Sequence, residues 1–471
     1  MDGLECSEIS FLKAITSSYS SRLDSDFFKK DALKLSAISE NWDVLSAICP
    51  EIKSGTTPAM RDKNLKDGIA LLKTNDIRNN IVSPLSAEQF FYIDEQTDKK
   101  MKSSSVNDKD VLINIVGATT DVIGRVAFVP EGFIRSNITQ AMAILRIKNT
   151  EYLPEYLFVF LLGDYAKRQT NRIARQTGQY NMNLTEVGTY RIWKPSMAFQ
   201  LAIATIIRAA NSYQINGQKL YQEGQNIASR LLSIHNDILS QIFSIKAFSE
   251  TLSSVGRLDA EYYQAKYDAY DQAIKQYANG FTTVKSEFEL VTEKCLRNLS
   301  QYQYVEIGDI NIGDGSYTFS VLKTQELPDN AKIMTHAGDI LVSTVRPNRG
   351  AVAILEENNL LVSSAFTVLR PKFRYSKETL QVLLRTPIYR DWLLKFNVGT
   401  SYPVIKDIDV LNLPIPIFED YIQKEITGKV QESSRLRKSA KQLLTNAVKA
   451  VEMAIEQGED VALAWLKDKV E

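Results

Sequence analysis

The sequence predicts two α/β (α+β) globular domains separated by two long antiparallel coiled-coil helices, with an internal duplication that implies pseudo-twofold symmetry. Three observations support this fold class. The chain of 471 residues has room for roughly three or four structural units, at about 100–200 residues per domain. Short motifs recur in the same order in its two halves. Each series of motifs ends at a proline, and apolar residues at a coiled-coil spacing follow.

The duplication begins with the motif Arg-Leu-Asp-x-x-aromatic-aromatic, which stands at 22–28 and again at 257–263. The later matches keep one order, and they are 72–74 with 322–324, 110–113 with 339–342, 124–127 with 350–353, 145–146 with 369–370, and Gly178 and Pro195 with Gly399 and Pro416. A single match would mean little. Many matches in one order indicate a duplicated unit.

Each repeat starts with a mixed segment in which short β-type runs alternate with Gly, Pro and Asn turn residues. The predicted strands are 111–116, 126–129 and 141–147 in the first repeat, and 340–345, 351–355 and 366–369 in the second. A helical stretch follows at 155–174 and again at 377–396, and then a loop led by glycine. The globular part of each repeat ends at a proline, which is Pro195 in the first and Pro414 and Pro416 in the second.

Beyond each proline, the apolar pattern predicts one long helix. The first helix carries a seam with spacings of four and three, formed by Ile206, Ala210, Tyr213, Gly217, Leu220, Gly224, Ile227, Leu231, Ile234 and Ile238. The second carries a similar seam, formed by Ile422, Ile426, Leu436, Ala440, Leu443, Ala447, Ala450 and Ala454. Because this repeat keeps one seam towards a partner helix, we expect the two helices to pair with each other, antiparallel.

These elements predict five segments. They are 1–39, which completes the repeat; 40–196, the first globular domain; 197–248, a central spacer helix; 249–416, the second globular domain, with a connecting part at 249–299; and 417–471, a C-terminal spacer helix. A twofold object with two globular ends suits a ligand with two separated sites, and duplex DNA is the obvious case.

The composition argues against several classes of enzyme. The chain has two histidines and three scattered cysteines, so we expect neither a metal site nor a disulfide framework. The sequence lacks the glycine-lysine phosphate loop and the Pro-Pro-aromatic loop of amino-methyltransferases, and no Glu-x-Lys or Asp-x-Lys follows Pro328-Asp329, which could open a nuclease motif, within about thirty residues. We therefore expect a non-catalytic protein. No apolar run approaches the roughly 18 residues of a membrane span, and no secretory signal is visible, so the cytoplasm is the predicted location.

Several motifs together resemble one family, the DNA-specificity subunits of Type I restriction-modification systems. They are the two Arg-Leu-Asp segments, K-S-G-T-T-P at 53–58, L-L-K-T-N-D-I at 71–77, I-V-G-A-T-T-D-V-I-G-R-V-A at 115–127, G-Q-Y-N-M-N-L at 178–184, and the prolines that precede the long helices. The resemblance covers nearly the whole chain. The second half departs from it, because it lacks S-G-T-x-P and has Arg346-Pro347-Asn348-Arg349 in place of Gly-Ala-Thr.

The resemblance implies a subunit that recognises a bipartite target in double-stranded DNA, with one half-site for each globular domain. It implies two methyltransferase (modification) subunits docked on the helices, and ATP-dependent restriction subunits in the full complex. S-adenosylmethionine, ATP and magnesium would belong to those partners, with no cofactor in this chain. Three alternatives are a coiled-coil scaffold whose globular domains bind proteins, a specificity subunit of another methylation-based defence system, and an enzyme with an unfamiliar site.

Candidate DNA contacts follow from chemistry, because DNA binding needs cations for phosphates and side chains that donate and accept at base edges. Residues 163–194 carry six basic and two acidic side chains. We expect a phosphate-binding helix end and then a base-contacting loop, formed by Lys167, Arg168, Arg172 and Arg175 and by Gln176, Gln179, Tyr180 and Asn181. In the second repeat Thr400, Ser401 and Tyr402 take the place of the loop, with Arg385 and Arg390 upstream. The alternative is a solvated basic helix face and an ordinary turn.

Further candidates lie at predicted strand ends and turns. They are Lys73, Thr74, Asn75 and Asp76, with Lys323 at the matching place in the second repeat, and Arg125, Arg346 and Arg349. Arginine is the commonest bidentate reader of guanine, whereas an Asn-Asp turn that ends a strand has the same composition as a base-contacting segment. We expect the Arg-Leu-Asp segments instead to hold the connecting chain against its domain, through an Arg–Asp pair and buried aromatic rings.

Overall fold

The computed structural model describes residues 9–16, 23, 25–28, 41–58, 65, 67–78, 80–85, 90–232, 245–249, 251, 256–372, 374–399 and 401–470. It divides the chain into two compact units. Unit 1 comprises Met1–Ile215 with Leu436–Glu471, and unit 2 comprises Asn216–Arg435. Each unit combines sheets with helices, which confirms the predicted fold class of two α/β globular domains.

The described part of unit 1 contains short strands, several short helices and the first long helix of the chain. Its strands are Trp42–Val44 (β1), Glu51–Ser54 (β2), Ile69–Leu72 (β3), Asn80–Ile81 (β4), Phe91–Ile93 (β5), Val111–Asn114 (β6), Val116–Gly117 (β7), Val126–Phe128 (β8), Ser136–Ile138 (β9), Met142–Arg146 (β10), Arg175–Thr177 (β11), Gln179–Asn181 (β12) and Arg191–Trp193 (β13). Its helices are Phe11–Thr16 (α1), Leu45–Ile48 (α2), Glu95–Lys100 (α3), Pro154–Leu162 (α4), Asp164–Ile173 (α5), Leu184–Gly188 (α6) and Met197–Leu231 (α7), the last of which continues into unit 2.

The strands of unit 1 form four sheets. The largest has the order β2-β10-β6-β8-β4, and the others are β5-β3-β9, β11-β12-β7 and β1-β13. Helix α4 is almost wholly buried against the largest sheet, and its Phe158 packs with Phe128 of β8 at a centroid distance of 5.8 Å. The central strands β6 and β10 each begin with an apolar run, Val111–Ile113 and Met142–Leu145, whose side chains are buried on both faces of the sheet.

Unit 2 repeats this plan. Its strands are Phe281–Thr283 (β14), Phe288–Leu290 (β15), Gln301–Val305 (β16), Ser320–Lys323 (β17), Ala331–Met334 (β18), Ile340–Ser343 (β19), Val352–Ile354 (β20), Leu361–Ser363 (β21), Phe366–Pro371 (β22) and Pro414–Pro416 (β23). The remaining helices of the chain are Ala265–Lys275 (α8), Val284–Glu287 (α9), Lys377–Leu384 (α10), Pro387–Trp392 (α11), Asp407–Leu411 (α12), Asp420–Gln457 (α13) and Glu459–Val470 (α14), of which α14 and the end of α13 belong to unit 1.

The sheet topology confirms most of the predicted sequence matches. The order β15-β22-β19-β20 repeats β2-β10-β6-β8, and every one of these pairs is antiparallel in both units. The matched segments 110–113 and 339–342 form β6 and β19, and 124–127 and 350–353 lead into β8 and β20. The duplication is therefore a duplication of fold.

One predicted match is wrong. Strand β3 lies parallel to β9, and its counterpart with the same parallel neighbour is β16, which lies parallel to β21. The residue after β3 is Lys73 and the residue after β16 is Glu306; each donates its backbone N–H to a carboxylate three residues on. Lys323 instead ends β17, the strand that pairs with β16 as β5 pairs with β3. The shared letters Leu-Lys-Thr therefore paired two strands that differ in their neighbours, because sequence identity contains no information on strand pairing.

Each of the two predicted domain helices is interrupted. In the first repeat the break falls at Gly163, whose extended backbone separates the buried α4 from the polar α5. In the second repeat it falls at Arg385 and Thr386, because Pro387 cannot continue α10 and instead begins α11. Apolar spacing alone does not show such a break, because both helices of each pair bury apolar side chains.

The two long helices run antiparallel where the contacts within a unit define their direction. In unit 2 the Ser433 hydroxyl donates to the Gly217 carbonyl at 2.6 Å, and Lys429 pairs with Glu223 at 2.6 Å. In unit 1 one apolar core contains the seam residues Ile206 and Ala210 of α7 and Ala440, Ala447, Ala450 and Ala454 of α13. The seam positions Ile234 and Ile238, like His235, lie outside the described residues.

Candidate nucleic-acid interface

Two segments of unit 1 meet at the small sheet formed by β7, β11 and β12. Gly117 of β7 pairs with Tyr180 of β12, so the connection 118–125 starts beside the β11–β12 hairpin. A Cβ atom at Gly117 would lie 2.5 Å from the backbone nitrogen of Ile123. Glycine is therefore required at this position for the connection to fold back over the sheet.

A buried amide joins a third segment to this region. The Asn114 side chain, at the end of β6, donates from Nδ2 to the Thr74 carbonyl at 3.4 Å and to the Val122 carbonyl at 3.2 Å. Thr74 belongs to the turn after β3, and Val122 belongs to the connection between β7 and β8. The structure thus brings together three of the predicted segments of the first repeat, which are the turn at 73–76, the connection that contains Arg125, and the hairpin.

The turn at 73–76 presents its residues unequally. Asp76 accepts the backbone N–H of Lys73 at 2.8 Å, and burial raises the pKa of the Asp76 carboxyl. The Lys73 ammonium lies 3.5 Å from the centroid of the Phe91 ring. Thr74 is half-buried and Asn75 is exposed. The Asp76 carboxylate therefore shapes the turn, and Asn75 is the side chain most accessible to a ligand.

Two arginines stand next to each other on the joined loops. Arg125 donates from Nε to the Asp121 carbonyl at 2.6 Å, and Arg78 donates from Nε to the Asn75 carbonyl at 3.0 Å. Burial and the neighbouring charge of Arg78 lower the pKa of Arg125, and Asp121 partly offsets them. Neither guanidinium forms an ion pair with a carboxylate in the described part of the chain. Two adjacent cations with fixed Nε atoms offer their remaining N–H groups to an anion or to base acceptors.

Sequence reasoning missed Arg78. The available signal was an arginine two residues after the predicted Lys73–Asp76 cluster, followed by two asparagines. Its relation to Arg125 depends on the loop positions, which no sequence spacing shows.

The predicted phosphate-binding helix end is largely paired within the chain. Arg172 donates from Nε to the Phe27 carbonyl at 3.1 Å and stacks on the Phe27 ring. The other pairings are Lys167 with Asp164 at 3.4 Å, Arg175 with the buried Glu186, and Lys194 with Glu151 at 2.8 Å. Arg168 is exposed and has no ion pair among the residues that the structure describes. Among the described residues, the acidic partners Asp164 and Glu186 lie within 163–194 and only Glu151 lies outside it, so the local excess of positive charge is only partly offset.

The predicted glycine-hinged loop is a β-hairpin. Strands β11 and β12 pair with Gln176 opposite Tyr180, and Gly178 lies between them with a φ of 90°. Gln176 and Gln179 are exposed, whereas Tyr180 and Asn181 are half-buried. A two-stranded ribbon of this kind has the dimensions that enter a major groove.

Unit 2 builds a related surface at the connection between β19 and β20. Val345 bridges to Val404, and the Arg346 backbone N–H donates to the Pro403 carbonyl at 2.7 Å. The Arg346 guanidinium lies 5.5 Å from the centroid of the exposed Tyr402 ring. The structure thus places Arg346 and Tyr402 together, with Ser401 adjacent in the chain. Thr400 lies outside the described residues.

The connection in unit 2 is a short 3-10 turn, Pro347–Arg349, between two left-handed residues. Arg346 has a φ of 51° and Gly350 a φ of 73°. Both Arg346 and Arg349 are exposed. Lys323 lies apart from this turn in the fold, on edge strand β17 of the neighbouring sheet.

The upstream candidates Arg385 and Arg390 form hydrogen bonds to the backbone carbonyls of this turn. Arg385 is 4% exposed and donates to the Gly350 carbonyl at 2.9 Å. Arg390 donates from Nε to the Asn348 carbonyl at 2.8 Å. The expectation that Arg385 faces DNA is wrong, because its charge is enclosed by backbone carbonyls.

The second Arg-Leu-Asp segment contains the predicted Arg–Asp pair, whereas its two aromatic rings, Tyr262 and Tyr263, are half-buried and not buried as predicted. Arg257 pairs with Asp259 through two hydrogen bonds of 2.7 and 2.9 Å, and this pairing lowers the pKa of Asp259. Arg257 also donates to the Asn397 carbonyl at 3.0 Å, while Tyr262 packs edge-on against Phe396. In the first segment Phe27 is buried, and Arg22 and Asp24 lie outside the described residues.

The described residues show neither a cluster of metal-ligating side chains nor a membrane-spanning helix. They contain no group of three or more His, Cys, Asp or Glu side chains placed to hold a metal ion. Among them, no helix has both the length and the apolar character needed to cross a membrane.

A comparison with curated proteins finds a related sequence. The Type I restriction enzyme EcoBI specificity subunit of Escherichia coli is 24% identical over 180 residues, which span 38% of this chain and 36% of the relative. No family model matches the chain. The aligned part is about a third of each protein, and it confirms the resemblance indicated by the sequence motifs.

Two solved structures can be superposed over most of the chain. The S subunit of a Type-I restriction-modification system from M. genitalium covers 87% of this chain and 95% of its own, with 12% identity and a TM-score of 0.39. The HsdS subunit from Thermoanaerobacter tengcongensis covers 88% of this chain and 96% of its own, with 14% identity and a TM-score of 0.29.

Proposed function

We propose that this chain, which is similar to Type I specificity subunits, is the DNA sequence-recognition subunit of a Type I restriction-modification complex. Unit 1 and unit 2 each contain one recognition domain, within 40–196 and 249–416, and each domain recognises one half of a bipartite target. The long helices fix the spacing of the two half-sites. The chain selects the target and leaves catalysis to its partners in the cytoplasm.

One observation carries the proposal. Arginines lie at the same topological place in both units, on the connection from β6 to β8 and on that from β19 to β20. These arginines are exposed or half-buried, and they form no ion pair with a carboxylate among the described residues. They are Arg125, with Arg78 beside it, in unit 1, and Arg346 and Arg349 in unit 2. A guanidinium with two free N–H groups matches the O6 and N7 acceptors of guanine and also the oxygens of a phosphate.

The neighbouring side chains supply the complementary chemistry. Asn75, Gln176 and Gln179 are exposed in unit 1, and an amide can donate to and accept from adenine at the same time. In unit 2, Ser401 and the exposed Tyr402 lie beside Arg346. Each surface therefore combines cations for phosphates with groups that distinguish base edges.

Partner subunits complete the activity in this proposal. Two methyltransferase subunits dock on the helices and bring S-adenosylmethionine, and restriction subunits bring ATP and magnesium. The absence of catalytic motifs from the sequence supports this division of labour.

The test is to express the chain with the methyltransferase of its own operon in a strain free of adenine methylation. Single-molecule sequencing should then find modified adenines in one motif with two conserved parts and a spacer of fixed length. The same strain without this chain is the control and should show no motif. Methylation without this chain, or in an undivided motif, would contradict the proposal.

A further inference from the structure

A buried polar side chain links two loops of the candidate interface in unit 1. Asn114 is fully buried, and its Nδ2 atom donates to the carbonyls of Thr74 and Val122. Its Oδ1 atom is buried and accepts no hydrogen bond from any residue that the structure describes. A buried amide that satisfies only its donors is costly, because the desolvation of its carbonyl oxygen is not compensated by a hydrogen bond. Packing alone does not account for it, since an apolar side chain would fill the same space without this cost.

A different side chain makes the corresponding link in unit 2. Arg385 donates from Nη1 to the Gly350 carbonyl at 2.9 Å and from Nη2 to the Ile312 carbonyl at 2.7 Å. Its guanidinium also lies 5.3 Å from the centroid of the Tyr221 ring on α7. No carboxylate pairs with it in the described part of unit 2, and its Nε atom is buried without a partner. Burial of a cation without a counter-ion is expensive unless backbone acceptors hold it.

The two links join the same pair of loops. Thr74 and Ile312 both lie in the segment that follows a strand with a parallel neighbour, β3 in unit 1 and β16 in unit 2. Val122 and Gly350 both lie in the connection that carries the arginines, from β6 to β8 and from β19 to β20. In both units, one buried donor therefore fixes the position of one loop relative to the other.

The links nevertheless come from unrelated positions. Asn114 ends β6, and the residue that ends the matching strand β19 is Ser343, whose hydroxyl donates to the Val345 carbonyl of its own loop. Arg385 follows α10, and the residue that follows the matching helix α4 is Gly163, which has no side chain. Each unit has a link that the other lacks.

We propose that Asn114 and Arg385 are positioning residues for target recognition, each of which determines the base discrimination of its own half-site without touching DNA. The inference rests on the proposed function, and it adds the residues that fix the recognition surfaces. Arg385 holds the turn beneath Arg346 and Arg349, and Asn114 holds the turn of Asn75 against the connection of Arg125.

The experiment uses the complete complex in the methylation-free strain. Asn114→Ala and Arg385→Met are introduced singly, and methylation is counted at matched motifs and at motifs with one mismatch in either half. We expect discrimination to fall about tenfold in one half only for Asn114→Ala and about tenfold in the other half only for Arg385→Met, as for one lost base contact. Each variant is thus the control for the other.

Two further variants separate positioning from stability. Arg370→Met breaks a buried ion pair with Asp339 in the same unit but does not reach the loops, so it should leave discrimination unchanged. Arg385→Lys keeps a cation and an N–H donor. It should therefore lower base discrimination at the same half-site by a smaller factor than Arg385→Met. It also gives a result if Arg385→Met prevents folding.

A loss of base discrimination in both half-sites by one variant would overturn the inference. An equal loss of discrimination in Arg370→Met, or wild-type discrimination in Arg385→Lys, would also overturn it. These outcomes differ from a failure of the proposed function. In that case the wild-type chain itself would direct no methylation to a bipartite motif.

Discussion

Arg146 holds the buried carboxylate of Asp110 through two hydrogen bonds, from Nε at 2.8 Å and from Nη2 at 2.7 Å. Asp110 is 1% exposed and stands directly before β6, while Arg146 ends β10. Arg370 and Asp339 repeat this arrangement before β19 and at β22, with both distances at 2.8 Å. The duplication therefore extends to the buried charges that join the central strands of each unit.

The first prediction concerns this ion pair. Arg146→Met leaves the Asp110 carboxylate buried without its partner, so the free energy of unfolding should fall by about 3 kcal/mol. Denaturant unfolding followed by circular dichroism measures the change. The double variant Asp110→Asn with Arg146→Met removes both charges and should recover part of the loss. A double variant as unstable as the sum of the single variants would contradict this explanation.

The second prediction concerns Arg125, which lies beside Arg78 in unit 1. Arg125→Ala should lower the affinity of the assembled complex for its target about tenfold or more, because a bidentate guanine contact is worth about 1–3 kcal/mol. Lys148→Ala is a suitable control, since Lys148 is exposed and pairs with Glu51 at 2.6 Å. If Arg125 contacts only phosphate, affinity will instead fall equally for all sequences and the salt dependence will weaken. Fluorescence anisotropy with matched and mismatched duplexes at two salt concentrations distinguishes these results.

The third prediction compares two glycines, one with open space and one with backbone atoms at the position of a Cβ atom. A Cβ atom at Gly428, in the interior of α13, would meet nothing within 4 Å, so Gly428→Ala should stabilise the protein by about 1 kcal/mol. A Cβ atom at Gly55 would lie 2.2 Å from the Ile138 carbonyl oxygen, so Gly55→Ala should destabilise it. Thermal unfolding of the two variants should shift the midpoint in opposite directions. A decrease for Gly428→Ala would show that this helix face packs against something else.

The fourth prediction follows from the balance of 56 basic and 56 acidic side chains. A formally neutral chain releases few counter-ions when it binds DNA, so the isolated chain should bind weakly at physiological salt. The methyltransferase partners should strengthen binding. A gel-shift assay with and without these partners measures the difference. Nanomolar binding by the isolated chain would contradict the prediction.

The sequence predicted the repeated strands well because they are short apolar runs bounded by turn residues, as at the predicted strands 111–116 and 340–345, which contain β6 and β19. It failed where identity and topology disagree. Leu322–Thr324 resembles Leu72–Thr74 in letters, yet the structure places Glu306 at the position of Lys73. Three residues of identity contain too little information to fix a strand register when insertions separate two repeats.

The candidate site was predicted in part. Arg125, Arg346 and Arg349 lie on corresponding connections, as the glycine and proline neighbours indicated. The basic run around α5 stays a prediction of phosphate contacts, and the structure adds that Arg172 contacts Phe27, a partner that sequence spacing does not show. Asn114 and Arg385 could not be found from the sequence, since each acts through backbone carbonyls that are distant in the chain.

The most direct test of the central claim is an exchange of residues 40–196 for the corresponding segment of a related subunit with a different target. The exchanged chain is expressed with its methyltransferase in the methylation-free strain, and single-molecule sequencing identifies the modified motif. We predict that one half-site changes to that of the donor, while the other half-site and the spacer length stay the same. A change in both half-sites, or no change in either, would contradict the assignment of one half-site to each unit.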